Sequence, residues 1–311
     1  MASIRSLDLQ GHRGARGLAP ENTILAFETG LRIGVTTLEL DVAMTRDDIL
    51  VVSHDSCLNP DHTRGPDGAF LKQQGPAIRS LTFAELQRYD VGRLRPGSAY
   101  AAGFPMQKGA DNIRIPRLTD VFDLVKRAGA DHIRFNIETK LTPTSGTDTP
   151  DPDTFATALV EAIRHAGLSA RASIQSFDWR TLMIARRIAP EIERVCLTVE
   201  SPEEDNILRH RPGPSPWTAG LDIDDYGGSV PRLVKAAEAA VWSPCYLNVT
   251  TALVKEAHDL GLKVIPWTVN EMADLERMYR IGVDGIISDY PDRARAALPE
   301  GVTAPEPVPA G

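Results

Sequence analysis

GHRGARGLAPENT (residues 11–23), LELDV (residues 38–42) and VVSHD (residues 51–55) lie within one stretch of 45 residues. The stretch reads as strand, turn, helix, strand and a further short extended run. In LELDV the side chains alternate: Leu38, Leu40 and Val42 leave one face, Glu39 and Asp41 the other. The apolar face marks a buried strand rather than an exposed acidic one. Two carboxylates side by side in an interior repel and resist ionisation unless a cation lies between them. An oxygen-only pair suits Mg²⁺ or Ca²⁺ rather than Zn²⁺.

Working outward, a strand at 7–12 leads into the His12-Arg13-Gly14 turn, and a helix is expected from about Pro20-Glu21-Asn22. Ile24, Phe27 and Leu31 give it one apolar stripe and Gly34 stops it. From 57 to 117 the periodicity dissolves into Gly, Pro and polar residues, with one short helix at 82–89. A segment that long between regular elements is expected to be a functional insertion, a lid or a substrate-selecting loop. Beyond it strands and helices alternate. Strands read at 7–12, 37–42, 132–138, 172–176, 194–199, 240–245, 263–268 and 285–288 number eight. That predicts α/β architecture closed as a (β/α)8 barrel, with the loop-rich insertion (about 56–117) after the second barrel strand. One domain spans 1–298, and the Pro-rich tail, 299–311, is expected to be disordered.

The bulk properties fit. Of 311 residues 42% are hydrophobic and 24% charged, ordinary for a globular chain. The net charge of −8 argues against a nucleic-acid surface but allows a local cationic pocket. Cys57, Cys196 and Cys245 show no metal-binding spacing and read as idle thiols. No apolar run reaches the ~18 residues of a membrane span. As the chain stands it reads as cytoplasmic; with a leader removed it would be periplasmic or secreted. GHRGARG is only loosely a dinucleotide fingerprint, and no acidic residue sits where a ribose would need it.

Barrel active sites gather at the C-terminal ends of the strands. Glu138 in FNIETK is the natural third carboxylate, sharing a face with Asn136 and Lys140, and Lys140 is a cation for a phosphate oxygen. His12 and His54 each close a strand. Two imidazoles flanking a metal allow one to take a proton from the attacking oxygen while the other protonates the leaving alkoxide. Arg13 offers a forked donor to phosphate. Trp267, Tyr290 and Phe177 stand near strand ends, placed either to line substrate pockets or to pack the rim.

HRGARGLAPENT, LELDV, SHD and IETK, followed by WTVN (267–270) and DGIISDYPD (284–292), resemble the glycerophosphodiester phosphodiesterase family over essentially residues 7–298. The resemblance implies a barrel that hydrolyses glycerophosphodiesters, such as glycerophosphocholine and glycerophosphoethanolamine, to sn-glycerol 3-phosphate and an alcohol with one divalent cation. It implies Glu39, Asp41 and Glu138 as metal ligands, His12 and His54 as the acid/base pair, and Arg13 and Lys140 on the phosphate. Glu21 is expected to face the site and Trp267 to contact substrate. The attacking group is either water or the glycerol 2-hydroxyl.

Three rivals remain at this level. A phospholipase D acting on lysophospholipids or sphingomyelin would need an apolar mouth, for which the insertion offers only Phe70, Leu71, Leu81, Phe83, Leu86 and Phe104. A barrel isomerising or lysing a sugar would release no glycerol 3-phosphate. A non-catalytic phosphate-ligand-binding barrel would make the full residue set an accident.

Overall fold

The computed structural model describes residues 7–302 and 306–308. Among them nine strands form one sheet: β1 (Asp8–Gly11), β2 (Thr37–Met44), β3 (Leu50–Val52), β4 (Arg134–Thr139), β5 (Ala172–Ser176), β6 (Glu193–Thr198), β7 (Val241–Pro244), β8 (Lys263–Val264) and β9 (Gly285–Ser288). The helices are α1 (Ile24–Ile33), α2 (Phe83–Leu86), α3 (Ala99–Gly103), α4 (Leu118–Arg127), α5 (Pro152–His165), α6 (Trp179–Ile188), α7 (Val230–Ala236), α8 (Thr251–Asp259), α9 (Met272–Ile281) and α10 (Pro291–Ala296).

Eight strands run parallel in the order β8-β7-β6-β5-β4-β2-β1-β9. Single backbone bonds bring the two ends together, from Asp284 N to Val264 O at 2.8 Å and from Ile287 N to Pro266 O at 3.0 Å. The result is a nearly closed (β/α)8 barrel. The ladder of β8 is shorter than the expected 263–268 because Pro266 has no N–H to give. The third extended run is not a barrel strand. β3 folds back antiparallel on β2, pairing Val52 with Val42, and so returns the chain to the level of Asp41.

Helix α1 begins later than its Pro-Glu-Asn signal suggests. Thr23 is the N-cap, its hydroxyl accepting from Ala26 N at 3.3 Å, while Pro20, Glu21 and Asn22 form a turn with Asn22 at φ 55°. That turn is held against the strand ends by a close approach at Gly14, whose φ is +86° and whose missing Cβ would lie 2.6 Å from the backbone carbon of Ala26.

Two apolar cores belong to the barrel itself. The larger lies between strands and helices and includes Phe27, Leu38, Leu40, Phe135, Ile137, Phe155 and Trp242. The smaller fills one half of the barrel interior with Val195, Val241, Ile265 and Ile287. The other half is polar: Asn136 Nδ2 donates to Gln10 Oε1 (2.9 Å) and to Gln175 Oε1 (2.8 Å), and Ser173 Oγ donates to Asn136 Oδ1 (2.9 Å). A satisfied buried network of this kind fixes the side chains above it.

The insertion is not structureless. Leu58, Ile78, Leu86, Val91 and Ile115 pack with Ala43 and Val51 into a satellite core on the β2–β3 hairpin. Of the tail, Val308 is buried and its N–H donates to Leu31 O at 3.1 Å, so the chain is docked on α1 there. The expectation of disorder for 303–305 and 309–311 lies outside the described residues.

Candidate active site

β2 and β4 pair with Asp41 opposite Glu138 and Glu39 opposite Asn136. Ligand oxygens of Glu39, Asp41 and Glu138 therefore lie within 4.8 Å of one another, all three side chains buried. Their other contacts orient them. Glu39 Oε1 accepts from Gln175 Nε2 (2.6 Å) and Oε2 from the backbone N–H of Arg13 (2.8 Å). Asp41 Oδ2 accepts from Asn22 Nδ2 (2.9 Å). Glu138 Oε1 pairs with Lys140 Nζ at 2.7 Å. Burial, then Asp41, hold the Glu39 carboxyl well above its usual range. Burial likewise raises Glu138 to about 7, with Lys140 working the other way. For Asp41 burial is outweighed by Arg13, His54 and Lys140, which hold it low. For Glu39 and Glu138 the surroundings thus favour the neutral acid, and added positive charge would favour the carboxylates. An oxygen-only, buried donor set of this kind fits a hard divalent cation such as Mg²⁺ or Ca²⁺.

His12 follows β1. Its Nδ1 bonds Asp289 Oδ1 at 2.7 Å, leaving Nε2 turned inward, 3.9 Å from Glu39 Oε2. Burial lowers its pKa despite Asp289. His54 arrives by the β3 hairpin, not at a barrel strand end, and its Nδ1 bonds Asp55 Oδ1 at 2.8 Å. Burial, Arg13 and Lys140 lower it to about 4. Both rings therefore present a free nitrogen to one cavity, which both line.

Arg13 has φ 50°, a left-handed conformation uncommon outside glycine. Its guanidinium is buried, with Nη1 on Glu21 Oε1 (2.6 Å) and Nε 3.4 Å from Asp41 Oδ2. Nε makes no hydrogen bond. Lys140 Nζ lies 3.8 Å from Asp41 Oδ1. Glu21 does not face the cavity as expected. One oxygen accepts from Arg13, the other from the hydroxyl of Tyr100 on α3, and burial is outweighed by Arg13 so that its carboxyl drops to about 2. Glu21 braces the arginine, and the insertion braces Glu21.

The cavity has a volume of about 1050 Å³. Trp267 and Phe177 line it, meeting edge to face at 5.2 Å. Tyr290 does not; it is buried beside Gly17, with Arg293 stacked 4.0 Å from its ring centre. The six larger apolar residues of the insertion are absent from the lining as well: Leu71, Leu81, Phe83 and Leu86 turn into the satellite core. The mouth therefore gains no apolar wall from the insertion.

Sequence reasoning passed over several residues. Asp289 holds His12, takes Arg16 Nε at 2.7 Å and accepts from Asn270 Nδ2 at 2.7 Å. Gln175, Asn22 and Tyr100 support Glu39, Asp41 and Glu21. A polar residue closing the apolar run GIIS, and the inward alternation of Ser173 and Gln175, were the available signals.

A buried carboxylate triad able to hold a cation, with two imidazoles and two cationic side chains at the open end of a (β/α)8 barrel, points to a class, barrel enzymes of phosphate esters. Residues 12–293 match the Glycerophosphoryl diester phosphodiesterase family, and the chain belongs to that family of phosphoric diester hydrolases. It is 30% identical over 285 residues to a glycerophosphodiester phosphodiesterase of Caldanaerobacter subterraneus, covering 90% of this chain and 93% of the relative. A crystal structure from Silicibacter pomeroyi, described as a putative glycerophosphoryl diester phosphodiesterase, superposes with a TM-score of 0.85 at 36% identity, covering 96% of this chain and 97% of that one. An Oleispira antarctica phosphodiesterase in complex with the product sn-glycerol-3-phosphate shares the fold, with a TM-score of 0.66 at 23% identity over 93% of this chain and 95% of that one. Among the described residues no helix is long and apolar enough to cross a membrane.

Proposed function

We propose that this chain hydrolyses glycerophosphodiesters to sn-glycerol 3-phosphate and an alcohol, using one divalent cation, Mg²⁺ or Ca²⁺, and proton exchange by His12 and His54. The reading is carried by the meeting of Glu39, Asp41 and Glu138 within 4.8 Å in a cavity that both histidines line. The product found in the Oleispira phosphodiesterase supports it. Glu39, Asp41 and Glu138 would hold the cation, which when bound neutralises charge on the non-bridging phosphate oxygens. Arg13 and Lys140, whose Nε and Nζ lie 3.4 and 3.8 Å from Asp41, supply positive charge and donors to those oxygens. Asp289 keeps the proton on His12 Nδ1, so that Nε2 is free to accept one. A phosphodiester anion beside Arg13 and Lys140 offsets two of the cations that depress His54, which favours its protonated form when substrate is bound. One imidazole then takes the proton of the attacking oxygen and the other gives one to the leaving alkoxide.

The test is glycerol 3-phosphate release from glycerophosphocholine. It is expected to vanish with chelator and return with Mg²⁺ or Ca²⁺. His12→Ala and His54→Ala should each lower kcat by about 10²–10⁴ with an unchanged circular dichroism spectrum. Activity that survives chelation refutes the cation, and activity that survives both substitutions refutes the histidine pair.

A further inference from the structure

The polar half of the barrel interior is one directed chain of hydrogen bonds, running from the carboxylate triad to the N-terminal end of β1. Glu39 Oε1 accepts from Gln175 Nε2 at 2.6 Å, and Gln175 Oε1 accepts from Asn136 Nδ2 at 2.8 Å. Asn136 Nδ2 also donates to Gln10 Oε1 at 2.9 Å, and Gln10 Nε2 donates to Asp8 Oδ2 at 2.8 Å. Two hydroxyls complete it: Ser173 donates to Asn136 Oδ1 at 2.9 Å and Thr37 to Asp8 Oδ1 at 2.6 Å. The strand register makes these meetings possible, with Glu39 opposite Asn136, Asn136 opposite Ser173 and Gln10 opposite Thr37.

The two ends fix the sense of every link. An amide offers N–H donors on one side and an oxygen on the other, whereas a carboxylate only accepts. With Asp8 at one end and Glu39 at the other, both glutamines turn their NH2 groups outward and their oxygens inward. Asn136 then faces two oxygens and gives one N–H to each. Turned over, it would set its own oxygen against both and leave each without a donor. Asn136 is 1% exposed and does not line the cavity, yet it decides which edge of Gln175 meets Glu39. Glu39 is gripped at both oxygens, by Gln175 at Oε1 and by the Arg13 N–H at Oε2 (2.8 Å), with a ligand atom within 4.8 Å of those of Asp41 and Glu138.

We propose that Asn136 is a positioning residue for the cation site: by giving its NH2 group to Gln175 it keeps a donor, and not a carbonyl oxygen, against Glu39. The inference rests on the cation reading above and extends it to a side chain that touches neither cation nor substrate. Groups that orient a metal ligand commonly set its affinity by about 10–100-fold. Here the orientation is imposed from one residue further away, through a buried chain in which each amide answers the next.

Asn136→Asp exchanges the NH2 group for an oxygen at constant shape. Its carboxylate accepts from both glutamines and turns the Gln175 oxygen against Glu39. Coulomb attraction alone predicts the opposite outcome, since a negative charge added near the triad tightens a divalent cation. Isothermal titration calorimetry of the full, chelator-treated chain with Mg²⁺ or Ca²⁺ separates the two. Asn136→Asp should raise the cation Kd about tenfold, with an unchanged circular dichroism spectrum. Asn136→Leu removes both donors without adding charge and should raise it about three- to tenfold. A Kd at or below wild type in Asn136→Asp overturns the proposal, as does an unmoved Kd in Asn136→Leu, while the cation reading stands. A folded wild-type chain that binds neither ion overturns the cation reading and this inference with it.

Discussion

Replacing Asp289 by Asn tests whether the site depends on how His12 is held. Asp289 is 1% exposed and does not line the cavity, so it acts through its partners: His12 Nδ1 at 2.7 Å, Arg16 Nε at 2.7 Å and Nη2 at 3.0 Å, and Asn270 Nδ2 at 2.7 Å. In the proposed acid/base role the carboxylate accepts the hydrogen bond of Nδ1–H and stabilises the imidazolium that forms when Nε2 takes a proton. Losing that charge-assisted bond costs about 1.5–3 kcal/mol in the transition state. An amide turned to donate to Nδ1 also drives the proton onto Nε2, where the base must be free, at a comparable cost. Together about 3–6 kcal/mol gives a fall of roughly 10²–10⁴ in kcat with little change in KM. Arg16 loses a charged partner at the same time, so unfolding free energy should drop by about 1–3 kcal/mol. The sign with pH follows from the depressed carboxyl: burial favours the neutral acid, but Arg16 and His12 outweigh it and hold Asp289 below the ordinary aspartate value of 3.8. Its contribution to stability is therefore present above that value and lost as pH falls beneath it, and the variant should lose part of the wild type's acid sensitivity. Coupled detection of glycerol 3-phosphate gives kcat and KM, and thermal unfolding between pH 3 and pH 7 gives the stability term. A kcat within threefold of wild type, or a loss carried only by KM, would refute the orienting role.

Two further substitutions probe the frame around the site. Tyr100→Phe removes the hydroxyl that the insertion gives to Glu21 and, through it, to Arg13; about 1–2 kcal/mol of substrate binding should go, seen as a KM raised about five- to thirtyfold with kcat within twofold. An unchanged KM would mean that the insertion does not brace the arginine. Gly14→Ala places a methyl 2.6 Å from the Ala26 backbone at φ +86° and should cost about 3 kcal/mol or more in denaturant unfolding. A cost below about 1 kcal/mol would show that the turn can relax away from α1.

The alternation of strands and helices, and the periodicity within each, were sufficient to number the eight barrel strands, because those patterns are local. Glu39, Asp41 and Glu138 were legible for a related reason: polar residues on the inner face of buried strands stand out against Leu38, Leu40 and Ile137. What the chain could not disclose depends on contacts between distant segments. His12 and Asp289 meet across 277 positions, and only where β1 lies beside β9. His54 reaches Asp41 because β3 reverses onto β2, which an extended run in the sequence does not reveal. Glu21 looked like a group facing substrate until the insertion brought Tyr100 against it. The acidic stretch Glu203-Glu204-Asp205 reads as ordinary loop in one dimension, and only the fold brings it to the cavity that Glu39 and Glu138 also line. Side-chain periodicity is written residue by residue, whereas the pairing of charges across a cavity is decided by which strands become neighbours.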